Sequence, residues 1–253
     1  MVNAPSSDVR IYVINLDRSP QRLQEISKQL SRFGLPFQRI AAVDGKLATQ
    51  EQQALLDETT YKLRHGKSPL PGELGCYLSH VSVIHEFLKS DYLFAVILED
   101  DAILENSFPH ILQHLSQHST LWDMVKLSGV HSGTPAAVHS INRDYHLSVM
   151  FTKCTCSSAY IINRKAALAY TNGLLPMTLP YDHEFDKGWV YGIKVRAVTP
   201  FIVKHNETAP TTITATPSQS IKFRGLKRWP TYLYRLKTEG ARFVYAIRQY
   251  IAA

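Results

Sequence analysis

Three consecutive acids, Glu99, Asp100 and Asp101, follow directly on the apolar run at residues 92–98 (YLFAVIL). Carboxylates this close raise one another's pKa, so at the end of a buried strand they need a neutralising partner. A hard divalent cation taking oxygen ligands is one such partner. Side chains alternate along a strand, which sends Glu99 and Asp101 to one face and Asp100 to the other, so the first and third can share an ion with the phosphates of a ligand. The plainer description is a solvated acidic turn in which an aspartate caps the next helix. Arg18 and Arg22 follow an earlier β-rich run, and a guanidinium offers phosphate a planar fork of donors. Arg18 sits in the loop and is the better placed of the two. Asp44 precedes Gly45, where an acid either accepts hydrogen bonds from a ribose or makes an ordinary Asp-Gly turn.

The histidines and cysteines offer less. His80 and His85 are five positions apart and fall on different faces of one helix. His110, His114 and His118 share a helical face, but the apolar Ile111, Leu112 and Leu115 leave them on the solvated side, which argues against zinc. Cys76, Cys154 and Cys156 are odd in number, and their close pair is spaced C-x-C, so buried thiols in a reduced, cytosolic chain are expected.

The elements that must position these groups read as α/β. Residues 9–16 form a strand, Ser19-Pro20 opens a helix with Leu23, Ile26, Leu30 and Phe33 on one side, Gly34 stops it, and residues 37–43 form a second strand. This is a βαβ unit with parallel pairing and a right-handed crossover. A helix is expected over residues 73–89 behind Pro71-Gly72, and the run at 92–98 reads as a strand buried on both faces. Further strands are expected at 124–127, 158–162 and 194–198, with helices at 109–117, 164–171 and around 184–191. Open α/β sheets bind ligands beyond the carboxyl ends of their strands, where the acids lie.

The chain has 253 residues, 45% of them hydrophobic and 19% charged, which excludes a disordered protein. No apolar run reaches the roughly 18 residues needed to span a bilayer, and the N-terminus lacks a basic head with a long apolar stretch, so neither a transmembrane helix nor a signal peptide is expected. The net charge of +7 resides in residues 218–253, where eight basic residues face one acid, Glu239. A Thr/Pro/Ser-rich stretch at 207–219 suggests a loose connection to that tail. We therefore expect a body at residues 1–217 and a basic amphipathic tail at 218–253. Leu226, Trp229, Leu233, Leu236, Phe243, Ile247 and Ile251 form one stripe of the tail, suited either to an anionic membrane surface or to packing on the body.

Taken in order, Ile14-Asn15-Leu16 with Arg18 and Arg22, Ala42-Val43-Asp44-Gly45, Gly72-Glu73-Leu74-Gly75-Cys76 with Leu78-Ser79-His80, and Leu98-Glu99-Asp100-Asp101 make a specific series. Looser matches follow at Ala159-Tyr160-Ile161-Ile162, Pro180-Tyr181-Asp182 and Pro200-Phe201-Ile202-Val203. On these residues the sequence resembles glycosyltransferase family 25, which includes bacterial lipooligosaccharide glycosyltransferases and the catalytic domain of collagen galactosyltransferases. The resemblance spans residues 9 to about 215. It implies a glycosyltransferase A-type, Rossmann-like domain with a mostly parallel mixed sheet. It implies a UDP-sugar donor, usually UDP-galactose, and Mn2+ or Mg2+ held at Glu99-x-Asp101 with His205 as a further metal ligand. Asn15, Arg18, Asp44, His80 and Asp100 then belong to the nucleotide-sugar site, with His80 either orienting its neighbours or filling the core.

The family transfers with inversion, and Asp182 stands where the resemblance puts the base, with Glu184 and Asp186 as the alternatives. Asp182 is equally placed to cap a helix running through Phe185 and Trp189, and both roles can hold. The implied acceptor is an oligosaccharide on a lipid A core, and the implied location is peripheral, on the cytoplasmic side of a bacterial inner membrane. Two other functions fit parts of the chain. One is nucleotidyl transfer or phosphoester hydrolysis at the same metal site. The other is nucleic-acid binding through the tail, with Trp229, Tyr232 and Tyr234 as stacking platforms. The neutral body without a recognition motif argues against nucleic acid as a partner.

Overall fold

The computed structural model describes residues 8–130, 133–205, 223 and 225–253. In chain order the elements are β1 (Val9–Asn15), α1 (Pro20–Arg32), β2 (Phe37–Ala41), α2 (Gln50–Gln53), α3 (Glu58–His65), α4 (Pro71–Lys89), β3 (Phe94–Glu99), β4 (Ala102–Leu104) and α5 (Phe108–Gln117). They continue as β5 (Met124–Lys126), β6 (Pro135–Ser140), β7 (His146–Met150), β8 (Ala159–Asn163), α6 (Arg164–Thr171), α7 (Gly188–Tyr191), β9 (Val195–Thr199), β10 (Val203–His205) and α8 (Trp229–Ile251).

Eight strands form one mixed sheet in the order β2-β1-β3-β8-β5-β9-β7-β6, and β4 pairs with β10 in a separate ribbon. The expected βαβ unit is present: β1 lies parallel to β2 on one side and to β3 on the other. The chain thus changes direction across the sheet between β1 and β3, the position where α/β sheets open a crevice. Beyond β3 the sheet is antiparallel through β8, returns to parallel between β5 and β9, and ends in the antiparallel β7 and β6.

Alternation along β1 explains the two-layered core. Ile11 and Val13 point to the side covered by α1 and α5, where Ile26, Leu30, Ile111, Leu112 and Leu115 pack. Tyr12 and Ile14 point to the side covered by α4 and α6, with Tyr77, Leu78, Ile84, Phe87, Ala167 and Tyr170. Each such apolar side chain contributes about 1.5–3 kcal/mol when fully buried.

The region around residues 184–191 departs from expectation. Instead of one helix it holds a 3-10 turn, Tyr181–His183, and the single-turn α7. Asp182 lies inside that turn, whose N-cap is Pro180, so Asp182 caps nothing. Its carboxylate is left for other work.

The expected linker at 207–219 and the side chain of Leu226 lie outside the described residues. The helix α8 packs on the body against α3, α7 and β7, but mainly with a face other than the apolar stripe. Its inward contacts combine the buried Ala246 and an edge contact between Phe243 and Phe151 with a set of polar ones. Arg242 forms a bidentate pair with Asp186 at 3.1 and 3.2 Å, Thr231 Oγ1 donates to the Leu63 carbonyl at 2.8 Å, and Tyr245 Oη accepts from Val195 N at 2.8 Å while donating to the Ile193 carbonyl at 2.7 Å. Gly188 permits the approach, since a Cβ there would collide with the Tyr245 hydroxyl. The stripe faces outward, with Leu236 and Ile251 74% and 79% exposed.

The Arg242–Asp186 pair is 5% and 3% exposed. Burial, the largest influence, would push the Asp186 carboxyl up, yet Arg242, Lys126 and Lys187 together outweigh it and hold the group below the usual carboxylate range. Arg242→Met is therefore expected to cost about 3–5 kcal/mol in chemical denaturation at neutral pH, because it strands a buried charge. A depressed folded-state pKa gives stability that is complete above the unfolded value of about 4 and fades as pH falls through the folded one. The gap between wild type and variant should accordingly close in acid.

Candidate functional site

At the carboxyl edge of β1 and β3 lies a pocket of about 670 Å³ lined by Arg18, Arg22, residues 42–46, Gly72, Cys76, Ser79, His80 and Glu99 to Asp101. All four N-terminal sequence blocks therefore meet in one place. The meeting is fixed by small residues. Ser79 Oγ accepts from Val43 N at 2.8 Å and donates to the Gly75 carbonyl at 2.6 Å, tying the loop after β2 to α4. A Cβ on Gly75 would stand 2.5 Å from the Val43 carbonyl oxygen and 2.6 Å from Gly45 N, so this contact requires glycine.

The acids are arranged differently from a simple strand alternation. β3 ends at Glu99, and Asp100 and Asp101 form a turn. Both consequently reach the same cation: Arg22 contacts Asp100 Oδ1 at 3.2 Å and Asp101 Oδ2 at 2.5 Å. Period-two alternation holds only while the chain stays extended, and it lapses one residue too early to separate the pair. Asn15, expected to touch a nucleotide, is buried and points elsewhere. Its Nδ2 donates to Asp100 Oδ2 at 2.7 Å and to the Ser19 carbonyl at 2.9 Å, while its Oδ1 accepts from Arg39 at 3.0 Å. Asn15 thus positions an acid. Burial, the largest influence, raises the Asp100 pKa, and Asn15 and Arg22 pull against it.

Arg18 pairs with Asp44, whose other oxygen accepts from Lys46 N at 3.1 Å. Glu99 Oε1 accepts from Ser157 Oγ at 2.8 Å and lies 3.2 Å from His80 Nε2. His80 Nδ1 meets the Tyr160 hydroxyl at 3.0 Å, and the ring stacks on Tyr181 at 4.2 Å. His80 is therefore fully engaged behind Glu99. Cys76, His80 and Glu99 bring ligand atoms within 4.8 Å of one another. Burial pushes the Cys76 thiol up and keeps it protonated. The hard oxygen donors of Glu99, Asp100 and Asp101 suit Mg2+ or Mn2+ better than this thiol does. His205 is placed by its backbone, opposite Ala102 in the β4–β10 ribbon, and its side chain lies outside the described residues.

A second cavity of about 810 Å³ shares Cys76 and Glu99 with the first and runs past Ser157 and Ser158 to Asp182. Asp182 is 28% exposed. Burial raises its pKa, partly offset by Lys126, Lys153 and a hydrogen bond from the Cys156 backbone N–H. Cys156 adopts φ 106°, a conformation a non-glycine residue rarely holds without reason. The buried Lys126 fixes this loop by donating to the Cys154 and Cys156 carbonyls at 2.7 and 2.9 Å. A carboxyl with a raised pKa on a groove wall is suited to accepting a proton near neutral pH. Glu184 and Asp186 are committed elsewhere. Glu184 holds Lys187 at 2.7 Å and Tyr191 at 3.2 Å, and Asp186 holds Arg242.

Reading the sequence did not single out Lys126, Lys153 or Ser157. Only Lys126 left a trace, as a charge within the apolar run 124–127. His139, which the helical spacing could not reveal, comes from β6 to join His114 and His118, while His110 is outside that cluster. The His114 and His118 rings stack at 4.0 Å with 14° between their planes, an arrangement in which their in-plane lone pairs do not converge on one ion.

The family model described as "Glycosyltransferase family 25 (LPS biosynthesis protein)" matches residues 8–184. The chain is similar to human "Procollagen galactosyltransferase 2", at 30% identity over 123 residues, which is 46% of this chain and 20% of that protein. It is similar to a "Glycosyltransferase 25 family member" of Drosophila melanogaster, at 30% identity over 106 residues, which is 39% of this chain and 17% of that protein. The chain thus spans about a fifth of the length of these relatives. Among solved structures, a glycosyltransferase involved in the glycosylation of the major capsid of PBCV-1 aligns at a TM-score of 0.34 and 8% identity, covering 65% of this chain and 63% of that one.

Proposed function

The chain belongs to glycosyltransferase family 25, and from that premise we propose that it transfers a hexosyl group, galactose from UDP-galactose in the first instance, to a lipooligosaccharide or lipopolysaccharide glycan. The observation that carries this reading is the adjacency of two cavities. A pocket lined by the acids and by Arg18 and Arg22 shares Cys76 and Glu99 with a second cavity walled by Asp182. Arg18 and Asp44 would take the nucleotide. Glu99 and Asp101 would hold Mn2+ or Mg2+, whose chemistry is to offset charge on the departing diphosphate, with Asp100 fixed between Asn15 and Arg22. Asp182 would accept the acceptor hydroxyl proton as that oxygen bonds the anomeric carbon and the bond to UDP breaks. Direct displacement of this kind inverts the anomeric centre, and alignment of the two sugars in adjoining cavities supplies much of the rate.

Thermal unfolding with a panel of nucleotide sugars, with and without Mn2+, tests the reading. UDP-galactose should raise the midpoint in proportion to occupancy, more with metal than without. Failure of every UDP-sugar to protect would remove the donor assignment. UDP release that requires no acceptor sugar would point to hydrolysis instead of transfer.

Among the described residues no helix is long and apolar enough to cross a membrane. The outward stripe of α8, with Lys237 and Arg248 exposed on the same helix, supports peripheral attachment to an anionic surface, which on this reading is the cytoplasmic side of the inner membrane. Leu233→Glu combined with Leu236→Glu, at positions 51% and 74% exposed, should lower sedimentation with phosphatidylglycerol-containing vesicles by about tenfold or more, since each apolar side chain is worth about 1.5–3 kcal/mol on burial. Unchanged sedimentation would show that this face meets something other than lipid.

A further inference from the structure

His183, the chain neighbour of Asp182, lines a third cavity of about 660 Å³ between α3, the turn Tyr181–His183 and α8, which shares no lining residue with the first two. Its wall carries Arg64, Lys153, Lys187, Arg235 and Arg242 against a single acid, Glu239. Two of these cations are already matched, Arg242 by Asp186 and Lys187 by Glu184.

The other three have no carboxylate within 4 Å among the described residues. Arg64 donates to Thr178 Oγ1 at 2.7 Å and lies over the Tyr234 ring, Arg235 reaches only the His65 carbonyl at 3.4 Å, and Lys153 Nζ sits 2.9 Å from the ring nitrogens of His183. Both histidines of the cavity remain neutral. Burial, reinforced by neighbouring positive charges, takes His65 to about 2 and His183 to about 3. Three cations without a paired carboxylate in one concavity repel one another and focus a positive field into it, which Asp182 and Asp186, farther off, offset only in part at Lys153. An anion seated there would relieve that repulsion.

We propose that this cavity seats a phosphoryl group, carried as a phosphomonoester by the acceptor glycan. The inference rests on the glycosyl-transfer reading and deepens it on the acceptor side. A phosphomonoester carries about −1.5 to −2 charges and three acceptor oxygens, a closer match to two guanidinium forks and an ammonium than a single carboxylate offers. The location separates the group from the donor diphosphate. The donor pocket has Arg18 and Arg22 of its own and shares no lining residue with this cavity.

Calorimetric titration of the full chain with inorganic phosphate at low ionic strength tests the site without any need for turnover. Wild type should bind, and Lys153→Gln combined with Arg235→Gln should weaken binding at least tenfold while UDP affinity stays the same. Phosphate affinity unchanged in the double variant, or phosphate displaced by UDP, would overturn the proposal.

The source of the group is read by comparing a hexose 6-phosphate with inorganic phosphate and with a hexuronate. The sugar phosphate should bind tightest. If inorganic phosphate binds as well as or better than the sugar phosphate, or the hexuronate matches it, an acceptor-borne phosphomonoester is excluded. Failure of the glycosyl-transfer reading would show separately, as absent protection by UDP-sugars, whatever the phosphate titration gives.

Discussion

Asp101→Asn is expected to reduce sugar transfer on the order of 10³-fold and to abolish the Mn2+ dependence of UDP binding. That factor corresponds to about 4 kcal/mol, within the several kcal/mol that charge stabilisation at a metal-held leaving group provides. The substitution keeps the side-chain shape and removes one negative charge from a turn in which Asp100 and Asp101 share Arg22. Arg22 would remain anchored by Asp100, so the pocket should persist and the loss should fall on the chemistry. Asp100→Asn serves as the contrast. Asp100 is buried and accepts from Asn15, so its replacement should lower stability by about 1–3 kcal/mol as well as activity. Thermal protection by UDP across a Mn2+ titration, run beside initial rates, reads both effects. Asp101→Asn protein that binds UDP with unaltered Mn2+ dependence would show that the metal reading of this motif is wrong.

The half of the site built on β1, β2 and β3 was legible because its signals are local. A βαβ unit fixes where its carboxyl edge lies, and the residues just past each strand must gather there. Arg18, Asp44 and Glu99 could therefore be brought together from spacing alone. The roles of Asn15 and Arg22 could not. Both depend on the chain turning at Asp100, one residue past the end of β3, which the apolar run before it does not encode. The acceptor half was less legible for a related reason. Lys126, Cys156, Ser157 and Asp182 come from β5, a loop and a 3-10 turn that are remote in sequence, and their meeting is set by a strand order that leaves no periodic trace. The tail shows the same limit. Its apolar stripe was plain, but the face that packs on the body is anchored mainly by Arg242, Thr231 and Tyr245, and hydrophobic patterning does not report such contacts.

Asp182→Asn is expected to lower transfer to acceptor by about 10²–10⁴-fold, the usual worth of a general base. The case rests on how this carboxylate is held. It lies in the turn Tyr181–His183 on the wall of the groove, caps no helix, and has its pKa raised by burial against the opposing pull of Lys126 and Lys153. An amide preserves the acceptor for the Cys156 N–H and the shape of the wall, so the fold should be little affected. It cannot take a proton. UDP-galactose should protect the variant against thermal unfolding as it does wild type, because Asp182 lines the second cavity and not the donor pocket. The pH profile adds an independent reading. A base must be ionised to act, so wild-type kcat/KM should fall as pH drops through the Asp182 pKa, at a pH above that of an ordinary aspartate, and this limb should vanish in the variant. Glu184 and Asp186 are bound to Lys187 and Arg242, so their amide variants should lose stability before they lose this limb. A folded Asp182→Asn enzyme that transfers at a near-normal rate with its acid limb intact would remove the carboxylate from the reaction and require another proton acceptor on the same wall.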